Sequence, residues 1–354
     1  MSVADIARPE IVRLQPYVAA EQVPGCVRLN ANESPDSPWA ELDRTPLNRY
    51  PLVRPVELQK RLAGFYGVPA DHLLVTRGST EGIDTVMRTF CRAYRDNVVV
   101  TPPTFDMYKV YADVQGTAIV EVPLDADRDY AFDADAVIAG ANDLTKIIFI
   151  CSPNNPTGGL VSRADILKIA EARRDRSVIV VDEAYVEFSE SESLADQVDS
   201  FDNIAVLRTM SKAFALAGAR CGVIIGCPDL ISLLGRVLSP YSFSTPVTER
   251  VLDALSDEGY VKAAALVKRG IHERKRVSAA LTRIPAVARV WPSRSNFILV
   301  RFARPDAVRE VLNQRRILIR EYAHRPELEG CARITVGTPI ENDLLLDALR
   351  GVQG

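Results

Sequence analysis

Seven short runs of apolar and β-branched residues constrain the fold of this chain more than any other feature of its sequence. Segments with helical spacing of apolar residues separate several of these runs. Continuous rather than alternating apolar runs are typical of strands that are buried on both faces of a sheet. We therefore predict an α/β fold with a mostly parallel seven-stranded sheet flanked by helices. The runs span Leu73–Thr76, Asn97–Val100, Ala118–Val122, Lys146–Cys151, Ser177–Asp182, Ile204–Leu207 and Gly222–Gly226.

The connection between the last two runs is too short for a helical crossover. We therefore predict that the last strand runs antiparallel to the others. This connection contains Lys212, with Ser211 beside it and Arg220 farther along. Ligands of open α/β sheets bind at strand ends, so we expect Lys212 to lie at a ligand-binding edge of the sheet.

A lysine in such a connection can serve as an amine nucleophile. Apolar surroundings remove the solvation of the ammonium group and lower its pKa. Lysines of this kind form Schiff bases with carbonyl compounds, including pyridoxal phosphate, whose phosphate Ser211 and Arg220 could hold. Most lysines are solvated surface residues, however, so the spacing around Lys212 alone leaves both interpretations open.

Further polar residues follow other predicted strands. Ser79 and Thr80 open a predicted helix, where backbone N–H groups can bind a phosphate, although a plain helix cap is the common role of such residues. Asn155 lies in Ser152–Gly158, whose composition also suits a simple turn. Asp182 ends a buried strand, and it needs a cationic partner or a helix cap because an unpaired buried carboxylate is costly.

Arg333 interrupts the apolar run Cys331–Gly337. A core-facing arginine would need an anion, whereas exposure to solvent is the commoner explanation for such a residue. The sequence alone does not decide between the two.

Taken together, these residue types meet the needs of pyridoxal phosphate. Asp182 can pair with the pyridine nitrogen and keep it protonated. Asn155 and Tyr185 can hydrogen-bond the phenolic oxygen, and Phe105 can stack on the ring. Lys212 can bind the aldehyde and, once displaced by a substrate amine, act as the base that moves the α-proton. Four side chains can hold the phosphate, namely Ser79, Thr80, Ser211 and Arg220.

Composition argues against several other classes of protein. The 354 residues, 47% hydrophobic and 25% charged, are typical of a soluble globular protein with room for two domains. The net charge of −3 predicts neither a nucleic-acid nor a membrane partner, and neither a signal peptide nor a membrane span is expected. Six scattered cysteines indicate a cytoplasmic protein with reduced thiols. With three histidines, we expect neither a metal site nor a catalytic triad.

The chain divides into three predicted parts. Residues 1–45 form a polar, proline-rich N-terminal arm, and residues 46–257 form a large domain around the seven-stranded sheet. Residues 258–354 form a smaller α+β domain, which the arm joins. This smaller domain begins with a long basic helix and ends with a helix that Thr338 and Glu341 cap.

Six motifs, in this order along the chain, resemble those of the histidinol-phosphate aminotransferases, a branch of the fold-type I pyridoxal-phosphate enzymes. The resemblance spans nearly the whole chain, and its specificity comes from the ordered set rather than from any single motif. The motifs are Asn30–Pro35, Arg49–Pro51, Ser152–Gly158, Val180–Tyr185, Thr209–Gly222 and Arg333–Gly337.

This resemblance implies a function and further site residues. It implies transamination between L-histidinol phosphate and 2-oxoglutarate, giving imidazole-acetol phosphate and glutamate, in L-histidine biosynthesis. It also implies a homodimer in which Tyr50 reaches the cofactor phosphate of the neighbouring subunit, and it assigns the substrate phosphate to Arg333. Tyr17, Asn32 and Arg320 are implied to line the same substrate pocket.

Two positions depart from the pattern of the family. Position 105 is Phe where family members often have Tyr, so stacking on the cofactor is kept but a hydroxyl contact is lost. The segment from Glu321 to Pro326 matches no family motif, and we expect His324 within it to be a loop residue rather than a catalytic group.

Other functions remain open at this point. An aromatic amino-acid aminotransferase or a threonine-phosphate decarboxylase of the same branch would share the cofactor residues. A non-catalytic relative would be expected to lack Lys212 or Asp182, and both are present. A nucleotide-dependent dehydrogenase would carry a glycine fingerprint that this chain lacks.

Overall fold

The computed structural model describes residues 2–22, 26–39, 41, 44–45, 47–322 and 325–352. Its strands form one seven-stranded and one four-stranded sheet. The first sheet contains β1 (Leu73–Thr76), β2 (Asn97–Val100), β3 (Ala118–Glu121), β4 (Thr145–Cys151), β5 (Val178–Asp182), β6 (Ile204–Thr209) and β7 (Gly222–Ile225). The second contains β8 (Val287–Val290), β9 (Phe297–Phe302), β10 (Arg320–Glu321) and β11 (Cys331–Thr335).

The large sheet has the strand order β1-β7-β6-β5-β4-β2-β3. Every neighbouring pair from β3 to β6 is parallel, whereas β7 runs antiparallel to both β6 and β1. This arrangement confirms the predicted mostly parallel seven-stranded sheet with a reversed last strand. The carboxyl ends of β4, β5 and β6 therefore meet at one edge.

Helices cover both faces of this sheet. Apolar side chains that alternate along the strands divide between two buried clusters, as expected for strands that are buried on both sides. One cluster includes residues of α1 (Val3–Ile6), α4 (Ser79–Phe90), α5 (Met107–Gln115) and α8 (Pro228–Val237). The other includes residues of α3 (Val56–Tyr66), α6 (Ala134–Gly140), α7 (Arg163–Ala172) and α9 (Thr245–Ala254).

The four-stranded sheet is antiparallel throughout, with the order β10-β11-β9-β8. A third apolar cluster joins it to α10 (Asp257–Leu281), α11 (Pro305–Gln314) and α12 (Pro339–Arg350). At the start of α12, Thr338 and Glu341 form the predicted reciprocal cap, which satisfies backbone N–H groups that would otherwise lack partners.

The first two helices pack against the large sheet's helical layer. Val3 and Ile6 of α1 belong to the same apolar cluster as α8, and Arg236 of α8 donates a hydrogen bond to the carbonyl of Ile11 in α2 (Pro9–Arg13). This placement differs from the expectation that the arm joins the smaller C-terminal part. The difference arises because these few apolar residues, too few to show a period in the sequence, complete the α4–α8 layer.

Across the described ranges, no helix combines the length and apolar character needed to cross a bilayer.

His72 links the start of β1 to a distant segment. It is 7% exposed, and its Nδ1 and Nε2 lie 2.8 Å and 2.7 Å from carboxylate oxygens of Asp71 and Asp199. Burial of the ring opposes its charged form, but the hydrogen bonds to the two carboxylates outweigh burial and raise the pKa of His72.

This arrangement predicts a pH-dependent contribution of His72 to stability. Because the pKa is higher in the folded state, the contribution is fully present below the ordinary histidine pKa of 6.5 and is lost as the pH rises through the folded-state value. We expect His72→Gln to lower the free energy of unfolding by about 1 kcal/mol more at acidic than at alkaline pH. Urea unfolding at about pH 5.5 and about pH 9 measures this difference.

The exposed His272 on α10 offers the matched control. His272→Gln should change the free energy of unfolding by less than about 0.5 kcal/mol at either pH. A cost of His72→Gln that is independent of pH, or that grows as the pH rises, would contradict the assignment of the charged ring.

Candidate active site

A cavity of about 210 Å³ lies where the carboxyl ends of β4, β5 and β6 meet. Sequence-predicted residues from both sheets face this cavity, including Phe105 from the loop before α5. The geometry thus brings together most of the predicted site. These residues are Ser79, Thr80, Phe105, Asn155, Asp182, Tyr185, Ser211, Lys212, Arg220 and Arg333.

Lys212 lies in a tight turn directly after β6. The backbone N–H of Met210 donates to the carbonyl of Cys221, and that of Ala215 donates to the carbonyl of Lys212. Burial lowers the pKa of Lys212, and the positive charges of Arg333 and Arg220 lower it further, while Asp182 acts in the opposite direction. The amine is therefore held in the partly desolvated state that use as a nucleophile would require.

Asp182 ends β5 and is 2% exposed. Its Oδ2 accepts a hydrogen bond of 2.8 Å from the Tyr108 hydroxyl, and its Oδ1 accepts one of 3.1 Å from the backbone N–H of Ala184. Burial raises the pKa of Asp182, whereas these two hydrogen bonds and the charge of Lys212 counteract the rise. The carboxylate has donors on both oxygens and a cation nearby.

The contact of Tyr108 with Asp182 was not predicted from the sequence. The residue stands three positions after Phe105, and the two rings meet edge to face with centroids 5.6 Å apart. The available signal was this spacing, since residues three apart at the start of a helix lie on the same side of it. Nothing in the sequence showed that this side faces the end of β5.

Several groups that could bind an anion lie around the N-terminus of α4. Gly78 precedes the helix with a φ of 79°, and no described side chain caps the first N–H groups. The guanidinium of Arg220 lies over Gly78, where an added Cβ would come within 2.7 Å of its Nη2. With Ser79 and Ser211 alongside, free N–H groups, hydroxyls and a cation converge on one point, as an anion requires.

Arg333 reaches the cavity from β11 of the second sheet. Its guanidinium donates a hydrogen bond to Oδ1 of Asn155 and lies 5.3 Å from the centroid of the Phe297 ring. The sequence left open whether Arg333 faces solvent or the interior. The structure favours the second explanation, because the side chain faces the site. Arg333 and Arg220 both lower the pKa of Lys212, so the cavity contains two cationic groups near its amine.

Four predicted site residues lie away from this cavity. Tyr17 and Tyr50 are exposed, and their rings lie 6.1 Å and 4.9 Å from that of Tyr241. Asn32 has a left-handed backbone with a φ of 54°. Arg320 is exposed on β10, opposite Arg333 in the strand register. Their roles stay predictions, and His324 lies outside the described residues.

The chain shows extensive similarity to known proteins. The profile of the aminotransferase class I and II family matches residues 15–349. A histidinol-phosphate aminotransferase from Escherichia coli (strain SMS-3-5 / SECEC) is 40% identical over 355 residues, which cover 100% of this chain and 99% of that relative.

Two solved structures share this fold. The histidinol-phosphate aminotransferase from Clostridium acetobutylicum has a TM-score of 0.78 at 23% identity, covering 86% of this chain and 91% of that chain. The histidinol-phosphate aminotransferase from Sinorhizobium meliloti, solved in complex with pyridoxal-5'-phosphate, has a TM-score of 0.76 at 23% identity, covering 86% of this chain and 83% of that chain.

The close approach of β7 to the start of α4 yields a prediction about Gly222. A Cβ at this position would lie 2.7 Å from backbone atoms of both Gly78 and Ser79. We expect Gly222→Ala to lower the free energy of unfolding by about 1–3 kcal/mol, because backbone on both sides must move. Denaturant unfolding provides the measurement.

Gly218 in the same loop provides the matched control, since an added Cβ there meets no atom within 4 Å. Gly218→Ala should stay within about 0.5 kcal/mol of the wild type. Equal costs for the two substitutions would show that β7 and α4 have room to separate.

Proposed function

Because this chain belongs to the aminotransferase class I and II family, we propose that it is a pyridoxal-phosphate-dependent histidinol-phosphate aminotransferase. It interconverts L-histidinol phosphate and 2-oxoglutarate with imidazole-acetol phosphate and glutamate, in L-histidine biosynthesis. One observation supports this most directly: the amine of Lys212 lies among Asp182, Arg220 and Arg333 in a single cavity. Two guanidinium groups suit a reaction in which cofactor and substrate each carry a phosphate.

The residues of the cavity fit the cofactor. When bound, pyridoxal phosphate supplies an electron-accepting ring that stabilises the negative charge left by removal of the substrate's α-proton. Lys212 would bind its aldehyde, and the buried carboxylate of Asp182 its pyridine nitrogen. Asn155 and Tyr185 would bind the phenolic oxygen, and Phe105 would stack on the ring. The phosphate would be held at the uncapped start of α4 by Ser79, Thr80, Ser211 and Arg220.

Proton transfer is assigned to the amine of Lys212. Burial and the charges of Arg333 and Arg220 lower its pKa, which increases the neutral fraction of Nζ near neutral pH. A neutral Nζ can accept the proton from the substrate's α-carbon and return it in the reverse half-reaction. The same partial burial limits the access of water that would compete for that proton.

The substrate's phosphate is assigned to Arg333. Its planar guanidinium can bind two phosphate oxygens at once, and the hydrogen bond to Asn155 fixes its orientation. Arg320, opposite Arg333 across the β10–β11 pair, would add positive charge to this side. Tyr17 and Asn32 would complete the pocket.

We further propose that the enzyme is a homodimer in which Tyr50 contributes to the neighbouring subunit's cofactor phosphate. The supporting observation is the N-terminal arm, where Val18, Val27 and Leu29 are each between 86% and 91% exposed. Exposed apolar residues in one segment are typical of an interface.

The boundaries after residues 45 and 257 and a cytoplasmic location are also proposals. The free state of all six cysteines supports the location.

The choice of substrate is tested with purified enzyme, pyridoxal phosphate, 2-oxoglutarate and four amino donors. We expect kcat/KM for histidinol phosphate to exceed that for phenylalanine and tyrosine by at least about 100-fold, because those donors leave the cations of the phosphate pocket unpaired. In Arg333→Lys this advantage should shrink, since a lysine lacks the planar fork. Glutamate and carbon dioxide are both measured, with threonine phosphate as the fourth donor.

The alternative outcomes identify the rival functions. A preference for phenylalanine or tyrosine would retain the cofactor chemistry but reject histidinol phosphate as the substrate. Carbon dioxide released from threonine phosphate would reject transamination as the reaction type.

The shared site is tested by mixing two inactive or impaired variants. Lys212→Ala should have no measurable turnover, and Tyr50→Phe should lose about tenfold in activity with the loss of one charged hydrogen bond. If Tyr50 serves the neighbouring subunit, each hybrid dimer has one site with both residues intact. The mixture should then regain about half of the wild-type activity per hybrid dimer.

If Tyr50 serves its own chain, the hybrids will stay at or below the activity of Tyr50→Phe, which would contradict the shared site. Tyr94→Phe, at another exposed tyrosine, is the control for loss of a phenol hydroxyl alone. It should keep wild-type activity.

A further inference from the structure

Tyr108 combines complete burial with a specific contact to the active site. Its hydroxyl donates a hydrogen bond of 2.8 Å to Oδ2 of Asp182. Its ring stacks on that of Phe149 in β4, with centroids 4.6 Å apart and planes inclined by 9°. The ring is thus fixed by packing, so the position of its hydroxyl is fixed as well.

We propose that Tyr108 is a positioning residue that acts through Asp182, keeping its carboxylate ionised and aimed at the cofactor's pyridine nitrogen. The inference rests on the proposed function, in which Asp182 pairs with that nitrogen. Ala184 and Tyr108 donate to different oxygens of the carboxylate from different parts of the fold. Two such donors fix the rotation of the carboxyl group, which a single donor would leave free.

The charge balance around Asp182 gives this hydrogen bond its importance. Tyr108 from α5 and Lys212 after β6 act on the pKa of Asp182. Asp182 in turn acts on the pKa values of Cys151 in β4 and Tyr185 after β5. Burial raises the pKa values of Tyr108, Cys151 and Tyr185, so these three groups are neutral. Against the effect of burial on Asp182 itself, the bond from Tyr108 is the largest contribution that favours the carboxylate, followed by Ala184 and Lys212.

The test compares Tyr108→Phe with the wild type by the dissociation constant of pyridoxal phosphate, measured by dialysis of the holoenzyme across a range of pH. We expect binding near neutral pH to weaken by about tenfold, the size of one hydrogen bond to a charged group. Without the donor the pKa of Asp182 rises, so the loss of binding on acidification should begin at a higher pH than in the wild type.

Tyr130→Phe is the matched control for loss of a buried phenol. The Tyr130 hydroxyl donates to the carbonyl of Glu327 at 3.0 Å, away from Asp182. Both variants should lose similar thermal stability, but Tyr130→Phe should keep the wild-type pH profile of cofactor binding. If the two variants shift this profile equally, or neither shifts it, the proposal is overturned.

A double-mutant cycle with Asp182→Asn separates this inference from the proposed function. If Tyr108 acts through the carboxylate, Tyr108→Phe should weaken cofactor binding no further in the Asp182→Asn background. An equal loss in both backgrounds would assign the effect to packing instead. If Asp182→Asn binds the cofactor as tightly as the wild type, the proposed pairing of Asp182 with the pyridine nitrogen is rejected.

Phe149→Leu provides a second variant, which removes the stacking partner of Tyr108 but keeps the Tyr108 hydroxyl and the Asp182 carboxylate. It should lower thermal stability and move the onset of acid-induced cofactor loss to a higher pH by less than Tyr108→Phe does, because the hydroxyl is held less firmly but is still present. A shift as large as that of Tyr108→Phe would contradict a role for the hydroxyl.

Discussion

The buried carboxylate of Asp182 is the constraint on which the site depends. Because helices cover both faces of the large sheet, polar groups of its central strands can reach a ligand at the strand ends rather than from the faces. Holding a charge at such an end costs several kcal/mol unless donors compensate for the lost water. Tyr108, the Ala184 N–H and Lys212 provide part of this compensation, while burial still leaves the pKa of Asp182 raised. Each of the three comes from a different part of the chain.

The two cationic side chains of the cavity have a second effect beside the anion binding proposed for them. Arg220 comes from the β6–β7 loop and Arg333 from the four-stranded sheet, and both lower the pKa of Lys212. The groups suited to holding phosphates therefore also favour the neutral amine that the chemistry needs. The lowered pKa of Lys212 therefore depends on how the two sheets pack against each other, and not only on the loop that contains Lys212.

Local sequence patterns predicted most of the large sheet and of the cavity, because buried strands appear as continuous apolar runs and their ends carry the polar residues. The features that these patterns could not predict depend on tertiary packing. The Tyr108–Asp182 contact joins residues far apart in sequence, and the packing of α1 on α8 adds few apolar residues. The strand β8 (Val287–Val290) is short and has no buried residue, so no continuous apolar run marks it in the sequence.

The reversed direction of β7 explains why Lys212 and Arg220 can share one cavity. An antiparallel neighbour can follow β6 through a short loop, whereas a parallel one would need a crossover of a dozen or more residues with a helix. The backbone bond from Met210 to Cys221 closes the base of this loop, and Gly222 lets its far end lie against the start of α4. The same short loop thus delivers the amine to the end of β5 and the guanidinium to the N-terminus of α4.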